Sequence, residues 1–266
     1  MKKWLLYLFV FPLLGGAGVG FAQTKAENKT DDKGLKQGHW EKIDPTTKKI
    51  IYKGNFKDDK PQGLFIYYFK GMDSVHTKMD FRQDGKIAYA KLYYYTGKPE
   101  AKGKYIGEQK DSLWTFYDGA GVLISTEMYA NGKKNGLSKI FFPDGKVSEE
   151  KNYKEGKLDG PFKQYYSDKV VKAEGAFIKD NYNGKCVWYY LNGTAAAQGV
   201  YENNVKKGVW LYKESDSKLK EKEVWVNGKQ LKPKEMEAYF KKNKQASEIT
   251  SEKKSEKPKA GSPKKK

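Results

Sequence analysis

Aromatic side chains recur along this chain at a fixed interval. Phe56, Phe81, Tyr105, Tyr129, Tyr153, Phe177, Tyr201 and Trp225 are separated first by 25 residues and then six times by 24. Aromatic residues are 15% of the sequence, too few for eight to fall into register by chance, so the chain is built from a repeated unit. Six positions before each stands a mainly apolar residue: Ile50, Val75, Pro99, Leu123, Val147, Val171, Ala195 and Leu219. Two positions before, half of the copies carry glycine (Gly54, Gly103, Gly175 and Gly199). Residues two and six apart share one face of a strand, which makes this half of the unit extended.

Seven positions after the aromatic comes a turn column of Gly63, Gly136, Gly160, Gly184 and Gly208, with Ala88 and Ser112 as departures. A second aromatic segment follows it, as in Phe65, Tyr67 and Tyr68, in Trp114, Phe116 and Tyr117, and in Trp188, Tyr189 and Tyr190. Pairs that tolerate a left-handed backbone are expected between the two strands: Asp84-Gly85, Asn131-Gly132, Asp144-Gly145, Asn192-Gly193 and Asn227-Gly228. Each unit therefore reads as a β-hairpin. No 3.6-residue periodicity is sustained and a glycine falls every ten or so residues, which removes a helical reading. One hairpin is marginal in water, so copies must pair edge to edge. The predicted fold is all-β: an elongated antiparallel meander of about eight 24-residue hairpins over residues 34–231, advancing roughly 75 to 80 Å at about 4.8 Å per strand.

Several segments resemble a known family. The run Tyr-x-Asn-Gly-Lys-Lys-x-Gly from Tyr129 to Gly136, the run Tyr-x-x-Gly-Lys-x-x-Gly from Tyr153 to Gly160, and the pairs Gly38 to Trp40 and Gly208 to Trp210 are similar to MORN-type repeat proteins. The closer resemblance is to their bacterial variant, the YwqK family of antitoxin-like proteins, and it covers roughly residues 34 to 230. It implies binding or scaffolding. Ala88, Ser112, Ser138 and Cys186 depart from the pattern, and distortion is expected in those copies.

The ends differ from the array. Lys2 and Lys3, the apolar run Trp4 to Leu14 and the small residues up to Ala22 have the layout of a cleavable signal peptide over residues 1–22, which predicts export to the periplasm, the outer surface or the medium. Residues 23–33 read as a linker. Residues 232–245, opening at Pro233, are expected to form a short helix capping the last hairpin. Residues 246–266 have the Lys-rich composition of a disordered tail.

Charge and chemistry narrow the function further. The net charge is +19, and Lys133, Lys134, Lys206 and Lys207 place part of it at hairpin ends. Such a surface favours polyanions, among which export makes nucleic acid the least favoured. Lysines at edges also keep open sheets from pairing with each other. The two histidines, His39 and His76, lie in different copies without metal-ligand spacing. No nucleophile, base and orienting group can be nominated together, so neither an enzyme, a metal nor a cofactor is expected. The single cysteine, Cys186, sits in an aromatic column and reads as a small buried substitute.

The aromatic column from Phe56 to Trp225 reads as cross-strand packing. The adjacent pairs Tyr67 and Tyr68, Tyr94 and Tyr95, Tyr165 and Tyr166, and Tyr189 and Tyr190 must address both faces of the sheet. With Lys133, Lys134, Lys206 and Lys207 they form the candidate interaction surface. The expected function is a non-enzymatic scaffold that binds another protein, antitoxin-like in sequestering its partner. The alternative is an envelope module that binds anionic lipid or polysaccharide.

Overall fold

A computed structural model describes residues 28–255. The expected signal peptide and the last eleven residues of the expected tail, 256–266, lie outside the described residues. The described chain is an antiparallel meander of 19 strands followed by one helix. The strands are β1 (Lys29–Thr30), β2 (Lys36–Ile43), β3 (Ile50–Lys57), β4 (Lys60–Tyr68), β5 (Val75–Arg82), β6 (Ile87–Tyr93), β7 (Pro99–Ile106), β8 (Gln109–Tyr117), β9 (Leu123–Ala130) and β10 (Lys133–Phe141). They continue as β11 (Val147–Lys154), β12 (Lys157–Tyr165), β13 (Val171–Ile178), β14 (Asn181–Tyr182), β15 (Gly184–Tyr189), β16 (Ala195–Glu202), β17 (Val205–Lys213), β18 (Leu219–Val226) and β19 (Lys229–Gln230). Both β14 and β15 pair with β13, as two pieces of one strand. From β3 onward this makes the eight predicted hairpins.

Two kinds of turn alternate along the sheet. Within a hairpin the link is a two-residue turn, left-handed at both positions in most copies, as at Asp58-Asp59, Asn131-Gly132 and Asn203-Asn204. Between hairpins the backbone N–H of the fourth loop residue returns to the first, as from Gly97 to Tyr94 and from Gly145 to Phe142, and that fourth residue is left-handed. Asp144-Gly145 and Asn192-Gly193 belong to this second kind, so they join units and do not close them.

Most hairpins also carry a bulge at the turn column. Between the pairs Lys53–Ile66 and Asn55–Gln62, β4 has two residues more than β3, and Gly63 there is left-handed at φ 65°. The copy with Ala88 places its two extra residues elsewhere. β5 and β6 pair without a shift, and residues 83–86 form a longer loop between Arg82 and Ile87. Alanine does not take the left-handed backbone that the bulge needs, so this copy departs as expected. Ser112 adopts φ 59° and keeps its bulge, and Ser138 and Cys186 keep their pairings. Distortion is thus confined to a narrower set than the sequence suggested.

One sheet buries a core because one of its faces alternates large and small residues across neighbouring strands. On this ring face the row reads Gly54, Phe65, Met79, Ala90, Gly103 and Trp114, and further on Phe162, Gly175, Cys186, Gly199 and Trp210. A Cβ on Gly103 would lie 2.2 Å from the Trp114 ring, and one on Gly199 would lie 2.2 Å from Trp210. The glycines of that column are therefore seats for flat rings. Trp114, Trp210, Phe65 and Cys186 are fully buried.

The array's two ends differ from expectation. β1 pairs with β2, so among the described residues the sheet already includes Lys29, inside the expected linker. The helix α1 runs Pro233–Ser255, past the expected end at residue 245. The reason is composition: after Pro233 the chain meets no glycine or proline until Pro258, so nothing stops the helix earlier. The helix meets the last full strand where Phe240 lies beneath the Lys222 ammonium at 4.8 Å.

Candidate functional site

The candidate tyrosines fall into different structural roles. Tyr67 lies on the ring face against Tyr52 and Phe65, and burial, with the neighbouring Tyr52, raises its phenol above the usual range. Tyr94, Tyr166 and Tyr190 sit at the joining turns. Their hydroxyls donate to the backbone carbonyls of Tyr117, Tyr189 and Lys213, each 23 residues on, at 2.8 to 3.0 Å. These are ties between successive copies. Tyr165 and Tyr189 donate to Glu150 and Glu174 on the opposite face, at 3.1 and 2.8 Å. Tyr68 lies under the Lys53 ammonium, and Tyr95 stands exposed in its loop.

The candidate lysines divide in the same way. Lys134 reaches Glu127 at 2.7 Å and lies over the Tyr153 ring. Lys206 donates to Tyr212 and Glu223 at 2.6 and 2.9 Å, and its ammonium stands over the rings of Trp210, Tyr212 and Trp225. Burial works against the Glu223 carboxylate, but donors from Trp225, Lys206 and Tyr212 outweigh it and hold the group below the usual range. Lys110, which the sequence did not single out, fills the equivalent slot over Trp114, Phe116 and Tyr129, where burial lowers its pKa. The slot holds a lysine of the chain itself between rings of consecutive copies, so Lys134 and Lys206 are fixed by the fold. Lys133 and Lys207 are exposed and pair with Glu155 and Glu202. The twelve candidates are not brought together at one site.

A different group is brought together. On the face opposite the rings, β5, β6 and β7 place Lys78, Lys91 and Lys102 directly across from one another. All three are exposed and none has a carboxylate within ion-pair distance among the described residues. Lys78 stands over the Tyr93 ring at 5.8 Å and Lys102 over Tyr117 at 5.9 Å. In the neighbouring row, offset by two residues, Leu64 on β4, Tyr89 on β6 and Leu113 on β8 are each more than half exposed, with Asp80 on β5 and Lys104 on β7 between them. The two rows line a shallow groove of about 780 Å³ shared with Asp80, Lys104 and Thr115. Asp80 is bound to Arg82 and Lys104 to Asp111, so both carry local partners. The sequence did signal this group: Lys53, Lys78 and Lys102 recur at the array's own spacing, three positions before the aromatic column.

His39 lies 3.6 Å from Glu41, and His76 packs on Phe69 and bonds to Thr77. Among the described residues no three His, Cys, Asp or Glu side chains gather as they would around a metal ion. Burial raises the Cys186 thiol above its usual range, against the backbone donor of Ala176.

The fold and its surfaces define an open sheet of β-hairpin repeats. Residues 134–155 match the MORN repeat variant. No curated protein matches the chain. Among solved structures, the chain is similar to one described as the Photorhabdus luminescens Tc holotoxin pore carrying a TccC3-D651A mutation. That match is 12% identical, covers 73% of this chain and 12% of that chain, and has a TM-score of 0.18.

Proposed function

We propose that this protein is a non-enzymatic, exported interaction scaffold that binds another protein through the sheet face opposite its rings, sequestering the partner in an antitoxin-like manner. MORN repeats are generally associated with protein or membrane-lipid binding, which supports a binding role. The observation that carries the protein reading is a row of exposed apolar side chains at one repeat position, Leu64, Tyr89, Leu113 and Leu137, spread over β4 to β10. Single exposed apolar residues are ordinary, but a row that repeats on every second strand of a sheet of fixed geometry has the anatomy of a contact surface. The second reading, binding of anionic lipid or acidic polysaccharide, rests on the unpaired lysines of the same face.

The test is affinity capture from envelope extracts at physiological salt, with the full chain and with its Leu64→Asp, Leu113→Asp double variant. A partner retained by the first and lost by the second is the expected result. Exposed charges separated by more than about 8 Å are screened at that salt, so a headgroup or glycan complex should weaken steeply as salt rises to it. No captured protein together with sedimentation on anionic vesicles would replace the scaffold reading with the lipid one.

A further inference from the structure

We infer that the groove over β4 to β8 is a docking site for an acidic amphipathic helix of a partner protein, lying across the strands. This rests on the scaffold reading above and names the partner's chemistry.

The first argument is charge. Lysines directly opposite one another on adjacent strands repel and destabilise the sheet. Lys78, Lys91 and Lys102 make two such contacts in succession with no carboxylate within ion-pair distance among the described residues, the nearby Asp80 being paired with Arg82. Further along the same row, Lys139, Glu150, Lys163 and Glu174 alternate in sign and pair at 2.9 and 3.4 Å. The fold thus accommodates neutralising residues in these slots, and three successive strands leave the positive charge open.

Spacing is the second argument. Neighbouring strands are about 4.8 Å apart, so the three lysines span about 10 Å across the sheet. A helix rises 1.5 Å per residue, and carboxylates at positions i, i+3 or i+4, and i+7 span about 10.5 Å. An extended peptide puts same-face side chains about 6.8 Å apart and falls out of step with the row. Leu64, Tyr89 and Leu113 lie on every second strand, about 10 Å apart, which again is near one heptad of helix. This row runs beside the lysines, offset by two residues along each strand. A helix with one acidic stripe and an adjacent leucine stripe meets both rows at once, as in helix-in-groove recognition.

The probe is a synthetic helical peptide of about three heptads carrying Glu on one stripe and Leu on the next, with an isosteric peptide in which Gln replaces Glu. Binding to the full chain is followed by titration calorimetry. The Glu peptide is expected to bind, the Gln peptide to bind at least about tenfold more weakly, and Lys91→Glu to weaken the Glu peptide by at least about tenfold, since like-charge juxtaposition at an interface costs several kcal/mol. The carboxylate of Lys91→Glu gains ammonium partners in Lys78 and Lys102, so its loss of binding does not come from unfolding, and a thermal melt verifies this. Lys133→Gln, at a turn, should leave binding unchanged. Equal affinity of Lys91→Glu, or of the Gln peptide, would overturn the site. So would polygalacturonate or phosphatidylserine vesicles binding with this lysine dependence while the peptide does not. A partner captured by the full chain and by Lys91→Glu alike keeps the scaffold and removes this groove from it.

Discussion

Tyr117 and Tyr189 occupy the same position in repeats three units apart, yet they meet opposite charges. Lys102 stands over the first ring, and Glu174 accepts a hydrogen bond from the second hydroxyl. The same exchange holds for Lys53 over Tyr68 and Lys78 over Tyr93 in the early copies, against Glu150 with Tyr165 in a later one. Backbone and ring are retained while the charge in the slot changes sign. The ring face shows no such divide: Trp114 covers Gly103 in the first half as Trp210 covers Gly199 in the second. One face is therefore constrained by packing along the array, and the other is free to vary in charge from copy to copy. Variation on a constrained frame is how repeat arrays acquire a particular binding surface.

The sharpest way to break this contrast is to perturb the constrained face in both halves. Gly103→Ala and Gly199→Ala each put a methyl group where a fully buried indole lies. Overpacking of a site that cannot relax costs about 3 kcal/mol, and the two variants should lose this much equally in urea denaturation followed by tryptophan fluorescence. A loss in one half alone would mean that the ring faces differ after all.

The ring-face frame was legible in the sequence because it rests on residues with narrow tolerances. A glycine two places before an aromatic, recurring at Gly54, Gly103, Gly175 and Gly199, has few readings besides a ring seat, and the 24-residue register set the hairpin count. Turn assignment was less legible. Asn131-Gly132 and Asp144-Gly145 look alike in sequence, but one closes a hairpin and the other joins two, because both turns require a left-handed residue. The candidate surface was the least legible part. Tyrosine hydroxyls and lysine ammoniums were read as free, whereas Tyr94, Tyr166 and Tyr190 bond to carbonyls of the next copy and Lys206 lies among rings. Such partners come from 23 residues away or across strands, and strand register alone reveals them. Lys91 was overlooked for the converse reason, since its isolation appears only once Lys78 and Lys102 are placed on either side.

A smaller effect separates the two charge regimes. Hydrogen bonding from Tyr189 and then pairing with Lys163, opposed by burial, hold the Glu174 carboxyl below the usual range. A depressed folded pKa means that its stabilisation is complete above the unfolded value of about 4.3 and is lost as pH falls through the folded one. Glu174→Gln should cost about 1.5 kcal/mol at neutral pH, and the difference from the parent should vanish in acid. Lys102→Gln, in the equivalent early slot, loses a ring contact of about 0.5 kcal/mol but also the repulsion from Lys91, so its net change should be smaller than that, with no convergence in acid. Burial, followed by the bond to Glu174, pushes the Tyr189 phenol up to about 12. Its share of stability is whole below about 10 and is lost as pH rises toward that higher value. Ultraviolet titration of Glu174→Gln should bring this phenol down while burial keeps it above its ordinary range.

A small gain in stability is the most telling of these effects, because it converts one regime into the other. Lys91→Glu gives the early row the alternation of Lys139, Glu150 and Lys163, with the new carboxylate between Lys78 and Lys102. Exposed pairs contribute little, so a gain of about 0.5 kcal/mol is expected at low salt. It should fade toward 1 M salt, where the screening length is about 3 Å. A variant that is more stable and yet loses the acidic peptide would mean that the native lysine row is kept for binding at the expense of the sheet's own stability. If Lys91→Glu instead destabilises the chain, the row already has partners of its own, and the division of this face into a neutralised half and an open half fails with it.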